Sequence, residues 1–277
     1  MKVVLGFFFY LGFVLWYNLY MEKLITDFKI NTCPYCGTNL IYADASKNID
    51  DKIVNTKSEE HIIPKSLGND DLILPKGIIC DKCNNYFSTN IEKQFLSLES
   101  IRLLRSYHLL PSRKNKVPSQ DVLFCGDIAT LEYDMHTNSM FLGVSPQTVA
   151  KLYSGAKPTT LVSRAIFVDE LKNNYVVSRM LIKIFTEMTL YYTLLSIQQD
   201  NTDKEIDFVM DKTIKEFFDY TRYGKPNKIY NYEVNLTRPI LPYSGGDFVS
   251  SITFTFKDGR YHTMIFNLSE LQFVLTI

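Results

Sequence analysis

Two Cys-x-x-Cys pairs constrain the fold of this chain more than any other feature of its sequence. Cys33 and Cys36 form the first pair, and Cys80 and Cys83 form the second. Each pair can offer two thiolates to a tetrahedral Zn²⁺, so the two pairs together predict a closed structural zinc site. The fifth cysteine, Cys125, leaves an odd count in a chain of 277 residues, which argues against a disulfide framework. We therefore expect reduced cysteines and a cytoplasmic protein.

The overall composition excludes two classes of protein. The chain has 30 Lys and Arg against 30 Asp and Glu, and 46% of its residues are hydrophobic. These values are typical of a globular chain with a substantial core and differ from those of disordered or uniformly basic proteins. Any contact with nucleic acid must therefore come from a local basic patch.

Residues 1–20 contain an apolar segment that leaves three interpretations open. From Val3 to Tyr17 there is no charged residue, and Lys2 precedes this stretch. The stretch is shorter than the roughly 20 residues of a full membrane span, and no small-x-small cleavage site follows it. In the first interpretation the start is assigned too early and the natural chain begins at Met21. The second interpretation is a short membrane anchor, and the third is a signal sequence. A membrane is a partner only in the second case.

The remaining chain divides into three expected regions within an α+β fold. Residues 21–98 hold both cysteine pairs, residues 99–116 form a basic linker or helix, and residues 117–277 form an α+β domain for substrate selection or regulation. Hydrophobic periodicity and turn residues predict the main elements of this last region. They are a hairpin within Val122–Leu142, a buried helix over Val176–Gln198, an amphipathic helix over Asp207–Tyr223, and strands over Phe248–Phe256 and Tyr261–Leu268.

The motif between the two cysteine pairs gives the chain a recognisable pattern. Glu60-His61-Ile-Ile-Pro-Lys-Ser-Leu-Gly-Asn follows the first pair, and Asn84 and Asn85 come directly after Cys83. This order resembles the HNH endonuclease family, in the zinc-stapled branch that includes the endonuclease VII type of phages. The resemblance covers residues 33 to about 98, roughly a quarter of the chain.

The resemblance implies a ββα-metal (His-Me finger) fold and a set of catalytic roles. It places His61 on a β-hairpin as the general base, and it starts a helix at the second cysteine pair. It makes Asn84 a ligand of a catalytic Mg²⁺ or Mn²⁺ and Glu60 a second ligand. These roles suit the side chains, because His titrates near neutral pH and oxygen ligands suit Mg²⁺. Asn84 could instead be a helix N-cap, and Asn85 is an alternative ligand.

Basic residues around the motif are the expected contacts with nucleic acid. We single out Lys65, Lys82, Arg102 and Arg105, which could neutralise phosphates, although most charged runs are simply solvated surface. The expected substrate is DNA, with RNA not excluded, and a homodimer is possible because one such site cuts one strand. The competing hypothesis is a non-catalytic four-cysteine zinc module that binds nucleic acid or a protein partner.

Overall fold

The computed structural model describes most of the chain outside its N-terminal apolar segment. Residues 6–20 of that segment lie outside the described part, so its three interpretations remain as they were. Within the described part no helix is both long enough and apolar enough for a membrane crossing. The described residues are 2–5, 30–42, 54–155, 157, 162–163, 166, 168–199, 207–210, 212–237, 248, 250–257 and 260–277.

The segment with the cysteine pairs has the expected ββα order. A short antiparallel hairpin pairs Glu60 with Leu74 and His61 with Ile73. A helix begins at Asp81 after a short loop, with Cys80 as its N-cap residue, and it continues through a π-helical turn at Ser88–Glu92. The predictions of a hairpin that carries the histidine and of a helix at the second cysteine pair are confirmed.

The strands of the described residues are β1 (Lys2–Leu5), β2 (Glu60–His61), β3 (Ile73–Leu74), β4 (Gln120–Phe124), β5 (Asp127–Asp134), β6 (Ser139–Gly143), β7 (Val162–Ser163), β8 (Asp207–Met210), β9 (Tyr232–Leu236), β10 (Ser250–Lys257), β11 (Arg260–Leu268) and β12 (Leu271–Thr276). They form four small sheets, whose orders are β1-β8, β2-β3, β6-β5-β4-β7 and β10-β11-β12-β9. The β1–β8 pair is parallel, and the other pairs are antiparallel.

The longest helix among the described residues is buried from residue 177 to residue 191. Its 25 residues contain no Gly or Pro, and its apolar side chains point in all directions, as is typical of a helix buried on every side. The helices are α1 (Asp81–Phe87), α2 (Lys93–Ser97), α3 (Glu99–Tyr107), α4 (Pro146–Tyr153), α5 (Tyr175–Gln199) and α6 (Lys212–Tyr223), with 3-10 turns at Lys65–Leu67 and Val168–Leu171.

Most of the elements expected after residue 117 are present. The turn at 136–138 joins β5 to β6, α5 covers the expected buried helix, and β10 pairs with β11. The Asp-Gly turn between β10 and β11 lies outside the described residues. The expected helix over Asp207–Tyr223 is wrong at its start, because Asp207–Met210 pairs in parallel with Lys2–Leu5. A short apolar run fits a strand or a helix equally well, and here a distant partner decides.

One hydrophobic core joins the cysteine-pair segment to the C-terminal part of the chain. It runs from Ile30 through Phe87 and Phe185 to Leu275. A separate small cluster lies around Val122 in the sheet of β4–β7. The larger cluster contains residues on both sides of the expected boundaries at 98 and 117.

Candidate active site and metal centre

The four paired cysteines lie in one cluster. Their Sγ atoms are all within 4.8 Å of one another, and Cys36 Sγ is 3.6 Å from Cys80 Sγ. A tetrahedral site with Zn–S bonds of about 2.3 Å has sulfur atoms roughly 3.8 Å apart, so this donor set fits Zn²⁺. The cluster is therefore compatible with the structural zinc that the sequence predicts, and Cys125 is not part of it.

Local backbone geometry places these thiols. In the first pair Gly37 has a φ of +68° and its amide donates to Cys33 O at 2.8 Å, a left-handed turn that glycine adopts without strain. In the second pair the Cys83 amide donates to Cys80 O at 2.9 Å as α1 begins. Within this cluster, hydrogen bonds from Cys33 and Cys83 lower the pKa of the Cys80 thiol to about 2, and the same hydrogen bonds with Cys80 raise the pKa of Cys33 and contribute to the raised pKa of Cys83. A thiol held as thiolate is the form that binds a metal.

His61 sits at the end of β2 in a half-buried position. Burial, followed by the positive charge of Arg113, lowers the pKa of His61 below its usual 6.5, and Glu92 opposes this shift. Its Nδ1 atom is buried and has no hydrogen-bond partner among the described residues. A lowered pKa keeps the imidazole neutral at pH 7, and a neutral imidazole can accept a proton.

Asn84 is held next to the strand that carries the histidine. Its Nδ2 donates to Glu59 O at 2.9 Å, so α1 is linked to the chain two residues before His61. Asp81, which is also on α1, strengthens this link. Its Oδ1 accepts hydrogen bonds from the backbone amides of residues 57 and 58, which precede β2. The alternative of an N-cap for Asn84 is wrong, since Cys80 holds that position. Asn85, the other candidate ligand, is exposed.

Glu60 has a different environment from the one expected for a metal ligand. Its carboxylate is buried, and Oε1 lies 2.7 Å from the Nζ of Lys183 on α5. Burial raises the pKa of Glu60 to about 7, against the opposing attraction of Lys183. Glu92 and Glu187 also contact the same ammonium, at 3.0 and 2.9 Å. The structure thus pairs Glu60 with an internal cation from outside the cysteine-pair segment.

Asn69 is a site residue that sequence reasoning missed. Its Nδ2 donates to Ile63 O at 2.8 Å, and its Oδ1 accepts from the Leu72 amide at 3.0 Å. The buried side chain therefore closes the loop between β2 and β3, just after His61. The sequence signal was the Gly-Asn pair, because Asn side chains commonly bond the backbone of their own turn.

The four basic residues expected to contact nucleic acid differ in exposure. Lys65 and Lys82 are exposed, and Lys65 pairs with Asp70 at 2.9 Å across the surface. Arg102 donates to Glu99 at 2.9 Å and to Ser119 O at 3.0 Å.

Arg105 requires a correction, because its guanidinium is buried. Its Nε donates to Ser66 O at 2.9 Å, and the residue is only 6% exposed. Burial also lowers the pKa of this guanidinium. Arg105 therefore supports the 3-10 turn at Lys65–Leu67 rather than presenting a charge to solvent. Sequence alone could not distinguish this arginine from the partly exposed Arg102 on the same helix.

Comparison with known families agrees with this geometry. A family described as HNH endonuclease matches residues 33–97. The matched segment contains both cysteine pairs, the β2–β3 hairpin, α1 and α2. Residues 33–97 are therefore similar to the HNH endonuclease family, and the clustered cysteines are consistent with its zinc-binding type. A search of curated proteins and a search of solved structures each find no significant match.

Proposed function

We propose that this protein is a metal-dependent endonuclease that hydrolyses DNA phosphodiester bonds. The observation that carries the proposal is the family match over 33–97 together with a half-buried His61 whose pKa is lowered. Asn84, tied to the same strand through Glu59 O, is the proposed ligand of a catalytic Mg²⁺ or Mn²⁺.

In this proposal the chain contributes a base and an oxygen ligand. His61 accepts the proton of the attacking water, which requires the neutral imidazole favoured by its lowered pKa. Asn84 Nδ2 is engaged by Glu59 O, so Oδ1 is the atom left for a cation. A bound divalent cation supplies charge stabilisation for the developing phosphorane and the leaving oxygen. Four thiolates close the zinc site, so zinc takes no part in the reaction.

Glu60 enters the proposal with a changed role. The sequence suggested a second cation ligand, but the carboxylate faces the Lys183 ammonium at 2.7 Å. A divalent cation beside a buried ammonium would face repulsion in a medium of low dielectric. We therefore assign the catalytic cation to Asn84, substrate phosphate and water, which is the sparse protein coordination that Mg²⁺ tolerates.

Exposed cations near the site are the proposed contacts with the DNA backbone. Lys65 and Arg113 both act electrostatically on His61, and both are exposed. Lys82 lies exposed at the start of α1, and Arg102 adds a partly exposed charge.

A single site cuts one strand, so cleavage of both strands needs a homodimer or two encounters. Four cysteines clustered for a metal suit a reducing compartment, and we propose the cytoplasm.

The test uses the zinc-loaded full chain on supercoiled plasmid, with and without Mg²⁺ or Mn²⁺. Asn84→Ala and Asn85→Ala form a matched pair, since the two residues are adjacent but only Asn84 is buried. We expect nicking that requires the cation, a much higher cation requirement in Asn84→Ala, and a nearly unchanged requirement in Asn85→Ala.

Two outcomes would contradict the proposal. Nicking that is independent of added cation would remove the assigned chemistry. Failure to cut plasmid, branched DNA, single strands and RNA would favour the non-catalytic zinc module instead. If only RNA were cut, the protein would still be a nuclease, but its substrate would be RNA rather than DNA.

A further inference from the structure

Lys183 lies outside the family-matched segment and reaches into it. The side chain is fully buried on α5, and its ammonium is 2.7 Å from Glu60, 3.0 Å from Glu92 and 2.9 Å from Glu187. The same Nζ donates to the backbone oxygen of His61 at 3.0 Å. One cation therefore contacts the acid before the proposed base and the main chain of the base itself.

We propose that Lys183 is a positioning residue of the nuclease site, which holds β2 so that His61 faces the substrate. This inference rests on the proposed function, and it assigns part of the active site to the C-terminal half of the chain.

The chemistry of the ammonium supports this role. Lysine is almost never fully buried unless it is paired, and here its neighbours come from β2, the π-helical turn and α5. An ammonium has three N–H donors, and carboxylates and carbonyl oxygens surround it. Breaking such a buried arrangement by removing one partner is strongly unfavourable, so it fixes the relative position of the three elements.

A whole face of α5 is used in the same way. Arg179 donates to Tyr86 Oη at 3.0 Å, and Thr186 Oγ1 shares a hydrogen bond of 2.7 Å with Tyr35 Oη. Residues 179, 183 and 186 follow the i, i+4, i+7 spacing of one helical face. This polar stripe of α5 contacts residues near each cysteine pair and near the base. The ββα segment is thus completed by α5.

The test must separate positioning from folding. Lys183→Met alone leaves three buried carboxylates without a cation and is expected to fold poorly. The informative variant is Lys183→Met with Glu187→Gln, which removes one charge of each sign and keeps the formal charge of the cluster. Glu187→Gln alone is its matched control, since it retains the contacts of Lys183 with Glu60 and with the His61 backbone. Zinc content and thermal unfolding of the full chain identify the folded fraction.

Kinetics on plasmid DNA give the first readout. Relative to the control, we expect the double variant to lose about tenfold or more in kcat, with KM changed less than about twofold. In a His61→Ala background the same change should alter the residual rate less than about twofold, because Lys183 acts through His61. Equal losses in both backgrounds, or no loss, would overturn the proposal.

Hydrogen exchange gives a readout that does not depend on cleavage. We expect the backbone amides of residues 60–63 to exchange about tenfold or more faster in the double variant than in the control, with the amides near the cysteine pairs unchanged. Unchanged exchange at 60–63 would refute the positioning role. If the wild type showed no His61-dependent cleavage, the proposed function would fail, while the exchange result would still decide whether Lys183 holds β2.

Discussion

Replacing Asn69 with alanine should destabilise the protein by about 2–6 kcal/mol, through the loss of two buried backbone partners. The side chain donates to Ile63 O at 2.8 Å and accepts from the Leu72 amide at 3.0 Å. Leu72 O adds nothing to the expected loss of stability, because it keeps the hydrogen bond from the Ile62 amide at 3.0 Å. Each unpaired buried group costs roughly 1–3 kcal/mol, which gives the stated range.

The assay is urea unfolding of the zinc-loaded full chain, followed by circular dichroism. The matched control is the adjacent Asp70→Ala, whose ion pair with Lys65 joins side chains that are 70% and 56% exposed. Such an exposed pair contributes little, so the control should stay within about 0.5 kcal/mol of wild type. An Asn69→Ala protein as stable as this control would refute the role of Asn69 in closing the loop.

Three further predictions concern the cysteine cluster, the buried Glu60 and the proposed base His61. Cys80→Ser should abolish stoichiometric zinc binding in metal analysis, whereas Cys125→Ser should retain it; equal zinc contents would contradict the cluster. Burial raises the pKa of Glu60 from 4.5 to about 7. The stability that the protonated carboxyl contributes is therefore fully present below pH 4.5 and is lost as the pH rises through 7. The stability advantage of wild type over Glu60→Gln should therefore shrink between pH 5 and pH 8 in urea unfolding, and a constant difference would count against the buried carboxyl. The lowered pKa of His61 predicts that kcat/KM falls only below about pH 6.5, and a fall that begins above pH 7 would exclude this base.

The features that the sequence predicted well are local ones. A Cys-x-x-Cys pair is a short turn whose geometry hardly depends on the rest of the chain, and two such pairs specify one metal site. The β2–β3 hairpin and α1 followed from the family resemblance that the motif between the two pairs carries. The helix α5 followed from a long apolar run without Gly or Pro.

The features that the sequence did not predict depend on contacts between distant residues. Lys183 forms an ion pair with Glu60 across 122 intervening positions, and neither local sequence pattern predicts this pair. Arg105 resembles any surface arginine of an amphipathic helix until the turn at Ser66 covers it. The strand at Asp207–Met210 likewise depends on a partner at the other end of the chain. Burial and pairing of charges are properties of the assembled fold.

The single-turnover cleavage rate of His61→Ala tests the central claim most directly. The substrate is an end-labelled DNA with saturating Mg²⁺, and the zinc-loaded full chain is compared with His61→Ala and with His136→Ala, which alters an exposed histidine in the β5–β6 turn. Loss of a general base predicts a rate about 10²–10⁴ times lower for His61→Ala, with normal zinc content, and an unchanged rate for His136→Ala. Equal cleavage by all three proteins would show that His61 is not the base and would contradict the account.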